Sequence, residues 1–382
     1  MARSIPALAT PSVLRFARTS AGFDLETAAA RLRISPSRLD GWESNSGGLT
    51  VAFLKKLATL YRRPLAYFFL PAPPADEPLP ADFRSAAADD GESRAELTLQ
   101  VRRVRELREV ALRLEGWAEV ATIPKATLED AAGAVASRLR EWLGVDLAAQ
   151  FSWTDGAEAY RKWRAAFEQR GVLVLQFTGV PVRAARGFSI TGDRLPVIAV
   201  NSRDKPVARC FTLMHELAHL ALRQVGICDF TSTALASRSV ERFCNAVAAE
   251  VLIPARSLED LLPESGKLDV DALARRFKVS SEAMALRLIA TRRLPEAEHE
   301  RFRRRYFDEL EDERQRRKEQ RTENEGGPSA DRLVVTNLGR PFLRLLVDGY
   351  YEGLVSAPEF RDYTSIKVSR LEKLEALMES RA

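Results

Sequence analysis

The sequence predicts a multidomain, mainly α-helical protein with one small β-sheet near its middle. At 382 residues the chain is long enough for two or three domains. Apolar residues recur at helical spacing along most of it, and strand-like patterns are confined to residues 172–200. Pro-rich and Gly-rich breaks divide the chain. We therefore expect five regions, at residues 1–70, 71–93, 94–292, 293–328 and 329–382.

The N-terminal region, residues 11–70, is predicted to form five short helices. Asp24, Ser35 and Thr50 can each cap a helix, and Pro36 suits the first helical position. Residues 1–70 hold ten Lys or Arg and four Asp or Glu, a balance of +6, so the rest of the +5 chain sums to −1. A basic excess confined to one module indicates an anionic partner, usually nucleic acid.

This region resembles the helix-turn-helix domain of the lambda-repressor/Cro type, also called XRE. The likeness rests on Ala28-Ala29, Ile34-Ser35, Leu39 and Trp42-Glu43. It implies that the helix beginning at Pro36 enters the major groove of DNA. The residues expected to face bases are Ser37, Arg38 and Asp40, and those expected to contact phosphates are Arg33, Asn45 and Lys55. The alternative is a helical module for dimerisation or for docking a repressor.

Two of the three histidines stand in one short string, His215-Glu216-Leu217-Ala218-His219. Four helical residues advance roughly 400°, so His215 and His219 share one face and can hold Zn²⁺. Glu216 lies beside them, placed to take a proton from a water that the metal activates. The flanking residues are apolar, and a buried helix must satisfy such polar groups. The alternative is a surface helix with two solvated histidines.

A catalytic zinc needs a third protein ligand, and no further histidine follows at a suitable spacing. The nearest downstream carboxylates are Asp229, Glu241 and Glu250. Residues 239–253 are predicted to form a helix, on which the two glutamates lie roughly 180° apart. They cannot both face the metal. We expect Glu241 as the ligand and Asn245, one turn later, as a partner that orients a ligand.

The middle of the chain resembles the ImmA/IrrE-type metallo-endopeptidases, over about residues 80–290. The likeness is carried by residues 211–219, 241–249, 252–254 and the strand-like segment 196–201. It implies an α+β, zincin-like domain of the gluzincin type, with zinc held by His215, His219 and Glu241. It also implies a substrate class, since such proteins cut helix-turn-helix repressors and release the genes that those repressors hold down.

Three segments in this region read as strands of a small sheet, at residues 172–175, 187–190 and 196–200. An edge strand beside a zinc helix can bind the backbone of a substrate. We expect that edge to consist of Val197, Ile198, Ala199 and Val200. Candidates to stabilise the oxyanion are Tyr160, Arg183 and Arg186, and the sequence does not choose among them.

The remaining segments are predicted to be helical. A long amphipathic helix is expected at about residues 94–121, a helix at 155–169 and a helical pair at 269–290. An exposed, charged helix is expected at 296–325 and a small helical domain after residue 329. The chain has no long apolar run, no recognisable signal peptide and three cysteines, which favours a soluble, cytoplasmic protein without disulfides.

The sequence thus predicts a zinc-dependent endopeptidase joined to a DNA-binding module, which cleaves a helix-turn-helix repressor and derepresses stress or mobile-element genes. Expected partners are DNA, through residues 1–70, and a protein substrate; no membrane is expected, and a homodimer is compatible with such a module. One alternative is a DNA-binding regulator, of toxin–antitoxin or phage type, with a structural or inactive zinc site. Another is that the peptidase cuts its own linker at residues 71–93.

Overall fold

The computed structural model describes residues 5–45, 47–74, 91–117, 122–192, 194–222, 234–263, 268–323 and 329–380. The chain divides into two compact units. Unit 1 comprises residues 1–103 and 179–185, and unit 2 comprises residues 104–178 and 186–382. Among the described residues, no helix is both long enough and apolar enough to cross a membrane.

Unit 1 is built from short helices around one apolar core. They are α1 (Pro11–Ser20), α2 (Leu25–Leu32), α3 (Pro36–Asn45), α4 (Val51–Tyr61), a 3-10 helix (Leu65–Phe69) and the start of α5 (Gly91–Arg113). The predicted caps are confirmed, since the Asp24 side chain accepts from the Thr27 amide and that of Thr50 from the Phe53 amide. The expected fifth helix is of the 3-10 type.

A buried ion pair fixes α1 against α3. The Arg18 guanidinium donates to both carboxylate oxygens of Glu43, at 2.7 and 2.9 Å. Glu43 is only 3% exposed. Because two parallel hydrogen bonds set the orientation of both side chains, the pair fixes the orientation of α3 relative to α1.

Unit 2 holds the remaining helices and the sheet. The helices that precede the sheet are α6 (Ala132–Leu143), α7 (Leu147–Ser152) and α8 (Gly156–Gln169). Those that follow it are α9 (Pro206–Leu222), α10 (Ala234–Leu252), α11 (Ala255–Glu259), α12 (Val270–Phe277), α13 (Ser281–Ala290) and α14 (Glu298–Glu323). The last group is α15 (Ala330–Leu338), α16 (Arg340–Tyr351), α17 (Ala357–Thr364), a 3-10 turn (Val368–Arg370) and α18 (Leu371–Glu379).

The sheet has three strands, β1 (Leu173–Phe177), β2 (Gly187–Ile190) and β3 (Val197–Asn201), in the order β1-β3-β2. β3 pairs in parallel with β1 and antiparallel with β2. The expectation that residues 197–200 form an edge is therefore wrong, because both sides of β3 are already hydrogen-bonded. The four side chains are also fully buried. An unbroken apolar run without alternation is typical of such a central strand.

Helix α9 lies at the centre of unit 2. It packs against α8, α10, β2 and β3, and its core neighbours include Trp163, Phe167 and Val247. Helix α15 packs against β1. In the part of the chain that the structure describes, β1 is thus flanked by β3 and α15, whereas no strand pairs with the outer side of β2.

Two helices differ from their predictions. Helix α5 ends at Arg113, well before residue 121, and the chain leaves the helix through Glu115, whose φ of 51° lies in the left-handed region. The charged helix α14 is not exposed throughout, since Phe302, Tyr306 and Leu310 on one face are buried.

Candidate metal centre

Helix α9 presents His215 and His219 on one face. Pro206 occupies its first position, where a missing amide hydrogen costs nothing. Leu213, Met214 and Leu217 are completely buried, which fixes the rotation of the helix about its axis. The two Nε2 atoms lie 3.0 Å apart. The predicted spacing therefore brings two imidazole nitrogens to one point.

Helix α10 adds a carboxylate from the opposite side. Glu241 Oε2 lies 3.3 Å from His215 Nε2, and its Oε1 lies 3.4 Å from His219 Nε2. Within the described residues, these three form the one group of His, Cys, Asp or Glu side chains whose ligand atoms all lie within 4.8 Å of one another. The structure thus brings together the three residues that the sequence singled out as ligands.

The spacing of the three donor groups fits zinc. Tetrahedral ligands at about 2.0–2.1 Å from zinc are separated from one another by about 3.3 Å. The observed separations of 3.0, 3.3 and 3.4 Å are close to that value. Two imidazoles and one carboxylate are also a donor set that zinc takes in catalytic sites. The residues present therefore fit the metal that the sequence motif implies.

Asn245 lies where it can orient the first ligand. Its Oδ1 is 3.0 Å from His215 Nδ1. Since an amide oxygen only accepts, His215 Nδ1 donates to it, and Nε2 is the ring nitrogen that faces His219 and Glu241. With a metal bound, that nitrogen would be free to coordinate it.

The pKa values of His219 and Glu241 are shifted by their mutual contact. Burial lowers the pKa of His219, but hydrogen bonds to Cys244 and Glu241 outweigh burial and raise it to about 12. Burial raises the pKa of Glu241, but hydrogen bonds from His215 and His219 outweigh it and lower the pKa. Burial raises the pKa of the neighbouring Cys244 thiol. The His219 imidazole and the Glu241 carboxylate therefore each stabilise the charged form of the other.

Glu216 lies one residue beyond His215 and is only 6% exposed. It approaches the start of β2, because a Cβ at Gly187 would be 3.8 Å from Glu216 Cγ. Its side chain thus approaches β2, and its charge acts on His219. A buried carboxylate beside a metal site is the arrangement that general-base chemistry requires.

The other carboxylate candidates lie elsewhere. Glu250 forms an ion pair with Arg287 and accepts from the Ala255 amide at 2.9 Å. It therefore ties α10 to α13 and to the turn after α10. Asp229 lies outside the described residues.

Two of the expected oxyanion donors, Tyr160 and Arg186, contact other residues of unit 2. Tyr160 is buried, with the Arg209 guanidinium 4.6 Å from its ring centre. Arg186 stacks over Tyr306 at 4.9 Å and lies 3.5 Å from Glu282. Arg183 is exposed and groups with unit 1.

Sequence reasoning missed Gly187 and Cys244. Glycine at the start of a strand often marks a close approach of another element, which was the available signal for Gly187. Cys244 is fully buried and lies next to His219. Its position one turn after Glu241 could have indicated this.

The six residues expected to contact DNA are all exposed on unit 1, namely Arg33, Ser37, Arg38, Asp40, Asn45 and Lys55. Some of them have partners within the unit. The Arg38 guanidinium lies 5.1 Å from the Trp42 ring centre and 4.9 Å from that of Phe53. Asp40 lies 3.7 Å from Arg15.

Two of the predicted phosphate contacts share one surface. Arg33 and Lys55 line a groove of about 550 Å³ together with Arg31, Lys56 and Thr59. Four cationic side chains around one groove are typical of an anion-binding surface.

The central and the N-terminal regions of the chain each match a known protein family. Residues 167–289 match the family model described as IrrE N-terminal-like domain, and residues 14–68 match the one described as helix-turn-helix. The radiation response metalloprotease IrrE of Deinococcus deserti is 35% identical over 108 residues. That alignment covers 26% of this chain and 37% of the relative. Residues 167–289 are therefore similar to the IrrE N-terminal-like domain and residues 14–68 to a helix-turn-helix domain, which confirms both resemblances.

Proposed function

We propose that this chain is a zinc-dependent endopeptidase coupled to a DNA-binding module. The observation that carries the proposal is the meeting of His215, His219 and Glu241, with Glu216 beside them. The match of residues 167–289 to the IrrE-like family supports it. A purely structural site would not require Glu216, which is a potential base rather than a ligand.

The residues divide the catalytic work between them. His215, His219 and Glu241 would hold the metal, and Asn245 would keep His215 in the required tautomer. Bound zinc would supply Lewis acidity and make a water molecule acidic enough to attack at neutral pH. Glu216 would accept the proton from the attacking water and deliver it to the leaving amine.

Strand β2 is the better candidate for binding the substrate backbone. Its inner side pairs with β3, and no described strand pairs with its outer side. It also packs directly against α9. An extended peptide could therefore add to β2 through backbone hydrogen bonds and lie beside the metal centre.

We further propose that the substrate is a helix-turn-helix repressor whose cleavage releases stress or mobile-element genes. The presence of an XRE-type domain in the same chain supports this substrate class. Unit 1 would bring the peptidase to DNA on which such repressors sit. Its exposed basic groove supports DNA as the partner of unit 1.

Mapping of new protein N-termini in cells tests the proposal. Cells with the wild-type chain are compared with cells carrying Glu216→Gln or the exposed control Glu259→Gln, before and after DNA damage. The proposal predicts a terminus inside a helix-turn-helix protein in wild type and control cells, and its absence with Glu216→Gln. A terminus at residues 71–93 of this chain would indicate self-cleavage. No terminus that depends on Glu216 would favour a DNA-binding regulator with a structural zinc.

A further inference from the structure

Gly187, the first residue of β2, lies in a space that no other residue fits. A Cβ built there would lie 2.3 Å from Thr212 Cγ2 and 2.9 Å from Ala199 O. Both distances are far below van der Waals contact. Its φ is not in the left-handed region. Glycine is therefore required at this position by the approach of α9 to β2, not by the conformation of the backbone.

The face of α9 that meets Gly187 is the face that carries the proposed base. Thr212 and Glu216 are four residues apart and thus neighbours on one side of the helix. A Cβ at Gly187 would touch both, at 2.3 Å from Thr212 Cγ2 and 3.8 Å from Glu216 Cγ. The separation between β2 and Glu216 is thus set by the absence of a side chain at Gly187.

Strand β2 cannot easily move away to make room. Gly187 pairs with Val200 of β3, and the Asn201 amide donates to the carbonyl of Arg186 at 2.8 Å. The Arg186 guanidinium is itself held over the Tyr306 ring, 4.9 Å from its centre. A side chain added at Gly187 would therefore displace α9, Thr212 or Glu216 relative to the strand.

We propose that Gly187 is a positioning residue that sets the distance between a peptide added to β2 and the Glu216 side of the metal centre. This inference rests on the proposed peptidase function. A peptide on the outer side of β2 would lie about 4.8 Å from that strand. Because the absence of a side chain at Gly187 lets β2 approach α9 closely, a peptide paired with β2 would lie at a fixed distance from the reacting groups. A displacement of about 1 Å in such a site can cost about 100-fold in rate.

Two hydroxamates separate binding at the metal from binding along the strand. Acetohydroxamate engages only the metal, whereas the same group on a three-residue peptide also offers a backbone to β2. Dissociation constants of both are measured with the zinc-loaded full chain, together with zinc content and thermal unfolding. In the wild type the peptide hydroxamate should bind more tightly than acetohydroxamate, and the ratio of the two dissociation constants is the gain from the peptide. In Gly187→Ala that gain should fall at least tenfold, while zinc content and the acetohydroxamate constant stay unchanged.

Gly156→Ala is the matched control. A Cβ at Gly156 would also meet a methyl group of α9 at 2.3 Å, but that of Val207, two turns before His215. It should destabilise the chain to a similar degree and keep the gain from the peptide. Thr212→Ser removes the clashing methyl, so Gly187→Ala/Thr212→Ser should recover part of the gain. If Gly187→Ala alone does not fold, this double variant is compared with Thr212→Ser.

The outcomes separate the two proposals. Retention of the full gain in Gly187→Ala, or an equal loss in Gly156→Ala, would overturn the role of Gly187. A wild type that binds acetohydroxamate but gains nothing from the peptide would overturn strand addition and leave the metal site intact. A wild type that binds neither compound would overturn the peptidase function itself.

Discussion

Helices α9 and α3 carry the proposed chemistry of the two units, and the side chains proposed to act are buried or half-buried in α9 but exposed in α3. In α9, Glu216 is buried and the two histidines are satisfied by Glu241 and by each other. In α3, Arg38 is exposed and rests on aromatic rings of its own unit. A buried polar group needs a hydrogen-bond partner inside the protein, so the partners of the α9 side chains can be read from the structure itself. The exposed side chains of α3 can be satisfied by solvent, so the structure of the chain alone does not define a partner for them.

The strongest test of the buried site is Glu216→Gln. This change keeps the shape of the side chain and removes the base. General acid–base catalysis contributes about 10²–10⁴-fold, so the cleavage rate should fall by that factor with one zinc retained per chain. Rates on a substrate identified from its new N-terminus, with metal analysis of the same samples, measure this. A variant that cleaves at the wild-type rate would exclude Glu216 as the base.

Comparison of Glu241→Ala with Glu250→Ala tests which carboxylate completes the site. Glu241→Ala removes a ligand, so zinc affinity should fall by more than the roughly 10–100-fold expected for loss of an orienting partner. Glu250→Ala should retain zinc but lower the free energy of unfolding by about 3 kcal/mol, because Arg287 is left buried without its partner. Competition with a chelator and denaturant unfolding measure the two effects. The reverse pattern would assign Glu250 as the ligand.

Asn245→Ala should weaken zinc by about 10–100-fold, because His215 loses the acceptor that fixes its tautomer. Asn245→Asp keeps an acceptor at the same place and should restore most of the affinity. Titration with zinc against a chromophoric chelator measures both. Equal affinity in Asn245→Ala and wild type would show that the 3.0 Å contact does not orient the ligand.

Arg38→Ala tests whether the exposed helix α3 contacts DNA bases. If Arg38 leaves its aromatic rings to contact a base, its loss should cost about 1–3 kcal/mol on the cognate DNA and relax sequence preference. Lys55→Ala, at a predicted phosphate contact, should weaken all DNA about equally and reduce the salt slope by about 1. Fluorescence anisotropy at several salt concentrations distinguishes the two patterns. Unchanged binding in both variants would favour docking of a protein by unit 1.

A further test is the pH dependence of zinc binding. His219, whose pKa is raised, holds its proton at neutral pH and must lose it to bind the metal. Glu241, whose pKa is lowered, is already ionised and releases no proton. Apparent zinc affinity should therefore rise between pH 6 and 8, by up to about tenfold per unit for one proton released. Calorimetry in buffers of different ionisation enthalpy counts the protons, and a flat profile would contradict the coupling.

The sequence predicted the parts of the site that depend on local periodicity. The spacing of His215 and His219 fixes their shared face, and the helical pattern after residue 239 shows that Glu241 and Glu250 cannot both face them. The structure brings Glu241 to the histidines. The order of the strands could not be derived in this way, because pairing between distant segments is not encoded in the spacing of either. The edge was therefore assigned to residues 197–200, which form the centre of the sheet.

The role of Gly187 is equally non-local. Its neighbours Thr212 and Ala199 are distant in sequence, and only the packed structure brings them within 3 Å of its missing side chain. The residues predicted to contact DNA are exposed, as expected, but the contacts of Arg38 with Trp42 and Phe53 depend on how α3 packs.

X-ray diffraction at the zinc absorption edge, from crystals of the full chain grown with zinc, tests directly whether these three residues bind the metal. We predict one anomalous peak within about 2.0–2.2 Å of His215 Nε2, His219 Nε2 and a carboxylate oxygen of Glu241. Absence of a peak there, or a peak held by other residues, would contradict it.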